Sequence, residues 1–229
     1  MARRKKFRRF NSRIKNIYQL DKDTKHIDLE KPEDFDFSPG QFISLIFKKY
    51  GEEIRRSYSI ASKPEETVLG LCIKIIPEGV LTPLLDKLKE GDEIEAVGPM
   101  GPFKIRPDSL NKDIVFVSAG TGIGPFRSMI KYLLNQGCKN KILLLAGYRK
   151  EESSYYDSEF RQLEAEYENF DYEKILSSSE GYVQELVKKN IQYRTDYYIC
   201  GLNKMVGSVR NILSENDIPE ENVFFERYD

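Results

Sequence analysis

The stretch DIVFVSAGTGIGPFRSM, residues 113–129, divides the chain into two parts with different sequence patterns. It begins with a continuous apolar run, which is typical of a strand buried on both faces of a parallel sheet. Gly120, Gly122 and Gly124 then follow at every second position, and a helix is predicted from Gly124 to about Gln136. The stretch therefore predicts a strand, a glycine-rich loop and a helix in immediate succession.

Beyond residue 108, predicted strands alternate with predicted helices, which indicates βαβ units and a doubly wound α/β domain with a parallel five-stranded sheet. The predicted strands are DIVFVSAG (113–120), KILLLAGY (141–148), DYEKIL (171–176), DYYICG (196–201) and NVFFERY (222–228). Between them, helices are predicted near 124–136, 159–167, 182–190 and 204–216. We assign residues 109–229 to this domain and expect the strand order 3-2-1-4-5.

Before residue 108, short strands with period-two alternation are separated by turn residues, which predicts an antiparallel β-barrel or sandwich over residues 1–108. The predicted strands are RIKNIYQL (13–20), KHIDLE (25–30), QFISLIF (41–47), RRSYSIAS (55–62), VLGLCIKII (68–76) and DEIEAVGPM (92–100). One short helix is predicted from Thr82 to Gly91, with Thr82 as its N-cap and Pro83 at its first helical position.

Composition excludes several classes of function. The 229 residues include 36 Lys and Arg against 37 Asp and Glu, so net charge gives no case for nucleic-acid binding. No apolar run approaches the roughly 20 residues that span a bilayer, so we expect a soluble cytoplasmic protein without a membrane span. Cys72, Cys138 and Cys200 are too few and too far apart for a disulfide framework or an iron–sulfur cluster. The single histidine, His26, is read as an exposed strand position, and we expect no metal site.

The amino-terminal stretch ARRKKFRRFNSRIK, residues 2–15, contains eight basic residues and no acidic residue. Such a stretch is either a solvated face or loose terminus, or a docking surface for an acidic partner, because charge steers encounter.

The glycine-rich loop has the properties of an anion-binding turn. Glycines let the backbone approach a ligand, the following helix directs free N–H groups at it, and Pro125 suits the first helical turn. The spacing G-x-G-x-G matches neither the dinucleotide fingerprint G-x-G-x-x-G nor a nucleotide-hydrolysing P-loop. An ordinary strand-to-helix turn remains the alternative. Cys200 and Gly201 end the fourth predicted strand, so the expected strand order brings them to the same crevice as this loop.

The segment IRRSYSIAS, residues 54–62, places Arg56, Tyr58 and Ser59 on a predicted strand. It is either a half-buried edge strand with a solvated polar face, or a surface for a flat aromatic ligand that carries phosphate.

Five motifs in the same order resemble the ferredoxin–NADP reductase superfamily across nearly the full chain. They are R-x-Y-S at Arg56–Ser59, G-x-x-S/T at Gly79–Thr82, G-T-G-I-x-P-F-R-S at Gly120–Ser128, C-G-x-x-x-M at Cys200–Met205, and the terminal E-x-Y at Glu226–Tyr228, here followed by Asp229.

The resemblance implies FAD as cofactor of the first domain. Arg56 would pair with the pyrophosphate, Tyr58 would stack on the flavin ring and Ser59 would hydrogen-bond its N5 atom. The implied FAD-binding residues are Arg56, Ser57, Tyr58, Ser59, Cys72, Ile73, Lys74, Gly79, Val80, Leu81 and Thr82.

For the second domain the resemblance implies a nicotinamide coenzyme, with Ser59, Cys200, Glu226 and Tyr228 around the transfer site and Tyr228 covering the flavin. An ordinary charged terminus is the alternative for the last motif. The implied coenzyme-binding residues are Gly120, Thr121, Gly122, Ile123, Gly124, Pro125, Arg149, Ser177, Ser178, Tyr182, Cys200, Gly201, Leu202 and Met205.

The chain departs from the family pattern that reads NADP(H). Ser177–Ser179 occupy the place of a Ser-Arg pair, and no Lys precedes Tyr182, which could still stack on adenine. Losing two cations removes charge-assisted bonds to a 2′-phosphate. Arg149 could compensate, or could be an ordinary exposed loop residue. The expectation is NAD(H) or dual use.

We therefore expect an FAD-dependent NAD(P)H oxidoreductase of electron transport. It would pass single electrons to a protein acceptor, such as an acidic ferredoxin or flavodoxin. The alternatives are a flavin reductase, the reductase component of an oxygenase, or a non-autonomous electron-transfer subunit of a larger complex. A non-catalytic nucleotide-binding module is disfavoured by the intact R-S-Y-S.

Overall fold

The computed structural model describes residues 7–49 and 51–228, and the chain forms two compact units that divide between Lys104 and Ile105. Assignment of the binding roles to domains 1–108 and 109–229 stays a prediction.

The first unit is an antiparallel β-barrel. Its strands are β1 (Arg8–Asp21), β2 (Thr24–Glu30), β3 (Phe42–Lys49), β4 (Glu52–Ser59), β5 (Val68–Lys74) and β6 (Glu93–Met100). They pair in the order β4-β3-β6-β1-β2-β5, with every pair antiparallel. The two end strands of this order meet through a bridge between Ile60 and Leu71, and Ala61 N donates to Gly70 O at 2.7 Å. The predicted barrel is confirmed.

Strand β1 begins five residues before its predicted start. Its first half pairs with β6 and its second half with β2, so one long strand belongs to both walls of the barrel. Phe10, Ser12 and Ile14 alternate inward along the early part of the strand, although the residues between them are polar. Pairing with β6 therefore extends the strand where local hydrophobicity is low.

The predicted helix from Thr82 to Gly91 is wrong in length and in its cap. Helix α1 covers only Thr82–Leu85, and its N-cap position is Leu81, which provides no side-chain bond. The Thr82 hydroxyl bonds the backbone of Ile76 instead. After Leu85 the chain continues in turns, and Gly91 N donates to Ile14 O at 2.9 Å, which ties the segment to β1.

The second unit is a doubly wound α/β domain. Its strands are β7 (Ile114–Ala119), β8 (Ile142–Tyr148), β9 (Phe170–Leu176), β10 (Asp196–Leu202) and β11 (Val223–Tyr228). Its helices are α2 (Ile123–Asn135), α3 (Asp157–Glu166), α4 (Val183–Lys189) and α5 (Asn203–Glu215). The five strands are parallel in the order β11-β10-β7-β8-β9, which is the predicted order read from its other end.

Both faces of the parallel sheet are covered. Val117 and Ile199 share a core with residues of α4 and α5, whereas Phe116 packs against Phe126 of α2 at 4.9 Å between ring centroids. Tyr172 packs against Phe160 of α3 on that second face. Burial on both sides explains why the three inner strands β7, β8 and β10 are almost continuously apolar, whereas the edge strands β9 and β11 also carry charged residues.

A buried polar network holds the segment just after the division between the units. The Asp196 carboxylate, buried at the start of β10, accepts bonds from Lys112 Nζ at 2.9 Å and Ser109 Oγ at 2.6 Å. Tyr198 Oη accepts a bond from Arg106 N at 3.0 Å and lies 2.8 Å from Ser109 Oγ. These bonds fasten residues 106–112 to the parallel sheet. Among the described helices, none is long and apolar enough to cross a membrane.

Candidate functional site

The barrel wall is open beside the R-S-Y-S segment. In the described part of the chain, β4 and β5 form no ladder with each other. The chain just after β4 meets β5 through the bridge between Ile60 and Leu71 and the bond from Ala61 N to Gly70 O. Residues 56–59 of β4 and 72–74 of β5 therefore lie on the two sides of this opening, which we call the barrel seam. The structure brings together the two FAD-binding stretches that the resemblance implied.

Arg56 presents an available guanidinium at the barrel seam. Its side chain is exposed, and Nη1 donates to the carbonyl of Arg55 at 2.8 Å. None of the described carboxylates forms an ion pair with it, whereas the neighbouring Arg55 pairs with Glu53. A guanidinium without a carboxylate partner can bind phosphate through two parallel hydrogen bonds.

Tyr58 and the flanking serines form the rest of the seam on β4. The Tyr58 ring is half-buried against the barrel core. Burial raises the pKa of its hydroxyl to about 12, and Arg56 lowers it by less, so the phenol is neutral. Ser59 is buried, whereas the exposed Ser57 has its Oγ 2.9 Å from Ser44 Oγ on β3. An apolar ring with adjacent hydroxyls suits a flat heterocycle.

The β5 side of the seam offers mainly backbone. Ile73 is fully buried in the barrel core and Cys72 is nearly so, while Lys74 is exposed. Residues 72–74 therefore offer a ligand mainly backbone groups and the Lys74 ammonium.

The loop before α1 carries the G-x-x-T motif. Leu81 is buried in the barrel core, Val80 is exposed, and Thr82 is buried with its hydroxyl bonded to Ile76. Sequence reasoning did not single out Ile76, because its part in the loop is made by backbone atoms.

In the second unit the glycine-rich loop lies against the end of β10. A Cβ atom on Gly122 would be 2.3 Å from the carbonyl oxygen of Cys200, so only glycine fits there. Gly120–Gly122 form one 3-10 turn before α2, and residues 122–125 (Gly122, Ile123, Gly124, Pro125) are buried. Gly120 and Thr121 are thus the part of the loop that a ligand can reach.

Cys200 and Glu226 are paired neighbours on β10 and β11, and Leu202 pairs with Tyr228. Burial raises the pKa of the Cys200 thiol well above its ordinary value, and the Glu226 carboxylate raises it further. A hydrogen bond with Tyr228 lowers this pKa by less. Burial and the Glu226 carboxylate thus both favour the neutral thiol over the thiolate.

The other residues implied by C-G-x-x-x-M differ in exposure. Leu202 is exposed, whereas Gly201 and Met205 are buried. Asp229, which follows the E-x-Y motif, lies outside the described residues.

The structure brings Arg149 next to the serines of the coenzyme stretch. Ser178 N donates to the carbonyl of Arg149 at 3.1 Å, and Ser177 N donates to Tyr148 at 2.8 Å. The Arg149 side chain is exposed, and Tyr182, which precedes α4, is 68% exposed. The exposed Tyr182 ring and the Arg149 cation thus lie beside the turn formed by residues 176–182. This turn carries one carboxylate, that of Glu180, which accepts a hydrogen bond from Leu176 N at 2.8 Å.

The prediction that His26 is exposed is wrong. The side chain points to the outer face of the barrel but is only 2% exposed, because the Tyr18 ring stacks on it at 4.7 Å between centroids. His26 Nε2 lies 2.8 Å from Asp28 Oδ1. The alternation of residues along β2 predicts that the His26 side chain points outward. No local signal predicts that Tyr18 of β1 covers it. Among the described residues, no group of three or more His, Cys, Asp or Glu is arranged to hold a metal ion.

The basic amino-terminal stretch is largely neutralised where the structure describes it. Ion pairs join Arg8 to Asp34, Arg9 to Glu53 and Glu95, Arg13 to Glu93, and Lys15 to Glu30. The other four basic residues, at positions 3–6, lie outside the described residues.

Ser118 is a polar residue that sequence reasoning did not select. It lies two positions before Gly120, the first residue of the glycine-rich loop. It pairs with Cys200 on the neighbouring strand and is fully buried. Its hydroxyl has no hydrogen-bond partner within the described part of the chain.

Two family models match the chain in the order of the two units. The oxidoreductase FAD-binding domain matches residues 12–105, and the oxidoreductase NAD-binding domain matches residues 116–211.

Similar proteins include a ferredoxin–NADP reductase and the reductase component of an oxygenase. A ferredoxin–NADP reductase B of Sorangium cellulosum is 31% identical over 96% of this chain and 98% of its own length. The reductase component of a Pseudomonas phenol 2-monooxygenase is 30% identical over 89% of this chain, which spans 60% of that relative. The fold matches an Amycolatopsis cytochrome P450 reductase with a TM-score of 0.87 at 24% identity, covering 96% of this chain and 70% of the other.

Proposed function

Because the chain belongs to the ferredoxin–NADP reductase superfamily, a group of FAD-dependent NAD(P)H oxidoreductases, we propose that it transfers electrons from NAD(P)H to a ferredoxin or flavodoxin. The observation that carries the proposal is the unpaired Arg56 guanidinium beside the half-buried Tyr58 ring at the barrel seam. FAD, when bound, supplies the conversion between two-electron and one-electron transfer.

The barrel residues bind and orient the cofactor. Arg56 binds its pyrophosphate through charge-assisted hydrogen bonds, together with backbone groups of Gly79–Thr82. Tyr58 stacks on the flavin ring and Ser59 donates or accepts a hydrogen bond at its edge. Residues 72–74 line the ring with backbone groups, which agrees with the burial of Cys72 and Ile73.

The α/β residues bind the coenzyme. Gly120 and Thr121 contact its phosphates, and Tyr182 offers a stacking surface for adenine. The buried, neutral Cys200 thiol and Glu226 orient the nicotinamide, and Tyr228 occupies its place until coenzyme arrives.

For coenzyme choice we propose NAD(H) or dual use. The turn 176–182 contains no cation, and its one charged side chain is the Glu180 carboxylate. Arg149 is the candidate cation to offset this charge, because its backbone is bonded to the turn: its carbonyl accepts a hydrogen bond from Ser178 N. Replacement of Arg149 by Gln tests whether Arg149 binds the 2′-phosphate of NADPH. If it does, the variant has a lower affinity for NADPH and an unchanged affinity for NADH.

The second candidate function is the reductase component of an oxygenase, and the matched phenol 2-monooxygenase component favours it. A flavin reductase, or a non-autonomous subunit, is the further alternative. A free reductase reduces ferricyanide with NAD(P)H when purified alone, whereas an obligate subunit copurifies with its partner. We further propose a cytoplasmic location, which the three free cysteines support because thiols persist in reducing compartments.

A visible spectrum and an anaerobic titration test the proposed function. The purified protein should be yellow, and NADH or NADPH should bleach it stoichiometrically. Bleaching by NADPH alone would overturn the proposed coenzyme choice. A colourless protein that does not bind added FAD would overturn the function itself.

A further inference from the structure

One side chain closes the loop between β5 and α1. Thr82 Oγ1 accepts a hydrogen bond from Ile76 N at 3.0 Å and donates one to Ile76 O at 2.9 Å. The hydroxyl thus uses its single proton and one lone pair on the same residue, six positions earlier. We call this pair of bonds the Thr82 clasp.

Gly79 is required for the clasp to form. Its N–H donates to Ile76 O at 2.8 Å, and a Cβ atom added to it would lie 2.7 Å from Thr82 Oγ1 and 2.9 Å from Ile76 O. Any side chain at position 79 would therefore displace the hydroxyl or the carbonyl. The spacing G-x-x-T has a physical reason that involves no ligand.

The clasp determines what the loop presents to solvent. Leu81 is buried in the barrel core and Val80 is 49% exposed, so the first side chain anchors the loop and the second faces solvent. Within the described residues, the N–H groups of Val80 and Leu81 make no hydrogen bond. Free N–H groups held in a fixed turn bind anions.

We propose that Thr82 is a positioning residue for FAD, and that its hydroxyl holds the loop 76–82 rather than binding phosphate. This inference rests on the proposed function, in which Gly79–Thr82 bind the pyrophosphate. Thr82 is only 9% exposed, and its hydroxyl proton is already donated to Ile76 O.

The first test compares Thr82→Val with Thr82→Ser. Valine keeps the shape and removes both bonds, whereas serine keeps them. We expect the valine variant to lose FAD affinity by about tenfold, because it lacks the two hydrogen bonds that order the loop. The serine variant should bind FAD with the affinity of the original protein. Affinity for riboflavin, which has no phosphate, should be the same in all three proteins.

A second measurement separates positioning from direct contact. In the cofactor-free protein, amide hydrogen exchange at Ile76 should be faster in the valine variant, because that N–H donates to Thr82 Oγ1. If exchange at Ile76 is unchanged while FAD affinity falls, the hydroxyl is a direct ligand and the inference is wrong.

Ser62→Ala is the matched control. Ser62 Oγ makes a similar pair of bonds in another loop, donating to Val68 O at 2.8 Å and accepting from Gly70 N at 3.0 Å. Its loss should lower the thermal unfolding temperature without changing the ratio of FAD to riboflavin affinity. An equal change of that ratio in this control would show a general effect of destabilisation and overturn the inference.

A double-mutant cycle with Gly79→Ala completes the test. If Thr82→Val and Gly79→Ala break the same clasp, the double variant should lose about as much FAD affinity as either single variant. Additive losses would contradict the inference. Failure of the original protein to bind FAD at all would instead reject the proposed function, so the two failures are distinguishable.

Discussion

Arg55 and Arg56 are adjacent on β4 but have different surroundings. Arg55 pairs with Glu53, whereas Arg56 has a backbone carbonyl as its partner and no described carboxylate in an ion pair with it. The pair gives a natural comparison between a guanidinium used for folding and one available for a ligand.

Replacement of Arg56 by Gln should weaken FAD binding by about tenfold or more, since a charge-assisted hydrogen bond contributes roughly 1.5–3 kcal/mol. Titration of the cofactor-free protein with FAD measures the effect. Arg55→Gln is the control and should retain the original affinity. Equal losses in both variants would contradict a specific role for Arg56.

Tyr228 lies at the end of the parallel sheet, where it pairs with Leu202 and is hydrogen-bonded to Cys200. If its ring must move aside for nicotinamide, Tyr228→Ser should raise coenzyme affinity by about fivefold, the equivalent of roughly 1 kcal/mol of ring stacking. Tyr228→Phe keeps the ring and should leave affinity unchanged. Coenzyme binding at equilibrium measures both, and unaltered affinity in the serine variant would count against the proposed role.

At the level of elements, the turn between β7 and α2 depends on close approach to β10. Gly122→Ala should destabilise the protein by about 2 kcal/mol, because its Cβ would meet the Cys200 carbonyl and backbone would have to shift. Gly207→Ala on α5 is the contrasting change. No atom lies within 4 Å of its added Cβ, and alanine is the better helix former, so stability should rise by about 0.5–1 kcal/mol. Urea unfolding measures both.

Helices α2 and α3 are joined by a partly buried charge cluster. Glu159 accepts bonds from Arg127 at 2.6 and 3.0 Å, and Lys131 lies 2.8 Å away. Burial acts to raise the pKa of the Glu159 carboxyl, but Arg127 and Lys131 outweigh it and the pKa is lowered. Stability from this carboxylate is therefore present above its unfolded pKa, about 4.3, and is lost as pH falls through the lower folded pKa.

Glu159→Gln should accordingly cost about 2 kcal/mol at pH 7, between the values for exposed and buried ion pairs. The difference from the original protein should begin to shrink as pH falls below about 4, and should vanish only below the lowered folded pKa, where the carboxyl is protonated in both states. Urea unfolding at several pH values measures this. A difference that stays constant down to pH 2 would contradict the electrostatic explanation.

For the whole molecule, the charge available to an acceptor depends on the basic residues that remain unpaired. Arg8, Arg9, Arg13 and Lys15 already have carboxylate partners. Positions 3–6 of the sequence carry four further basic residues, which lie outside the described residues. Replacing positions 3–6 removes half of the basic residues of the stretch 2–15 without breaking any of these ion pairs, and so isolates their contribution to the docking of an acidic protein.

Replacement of these four residues by Gln should raise the KM for an acidic [2Fe–2S] ferredoxin by about threefold to tenfold at low salt, because steering by charge is lost. The rate of flavin reduction by coenzyme should not change. At high salt the two proteins should converge, since the screening length falls to about 3 Å at 1 M. An unchanged KM at low salt would reject the docking surface.

The order of strands and helices was predictable because it follows from patterns that repeat along the sequence. The alternation of strands with helices identifies the parallel sheet, and period-two alternation identifies the barrel, and the structure confirms both. The strand order follows from the general rule for doubly wound sheets. The resemblance to a known superfamily then selected the residues of the candidate site.

Features that depend on distant contacts were not predictable. His26 is covered by Tyr18 of the neighbouring strand, and Thr82 bonds Ile76 rather than capping its own helix. The early part of β1 forms because β6 pairs with it. In each case tertiary contact outweighs local propensity, and a single sequence carries no record of which strands become neighbours.

The network around Asp196 has a practical consequence for anyone who wishes to produce the α/β half separately. A fragment that began at Asp113 would lack Lys112 and Ser109, and would leave a carboxylate in the interior with neither counterion nor hydroxyl. A start at Ile105 retains both, along with the Arg106 amide that donates to Tyr198. Expression of the half-protein should succeed from the second start point and fail from the first.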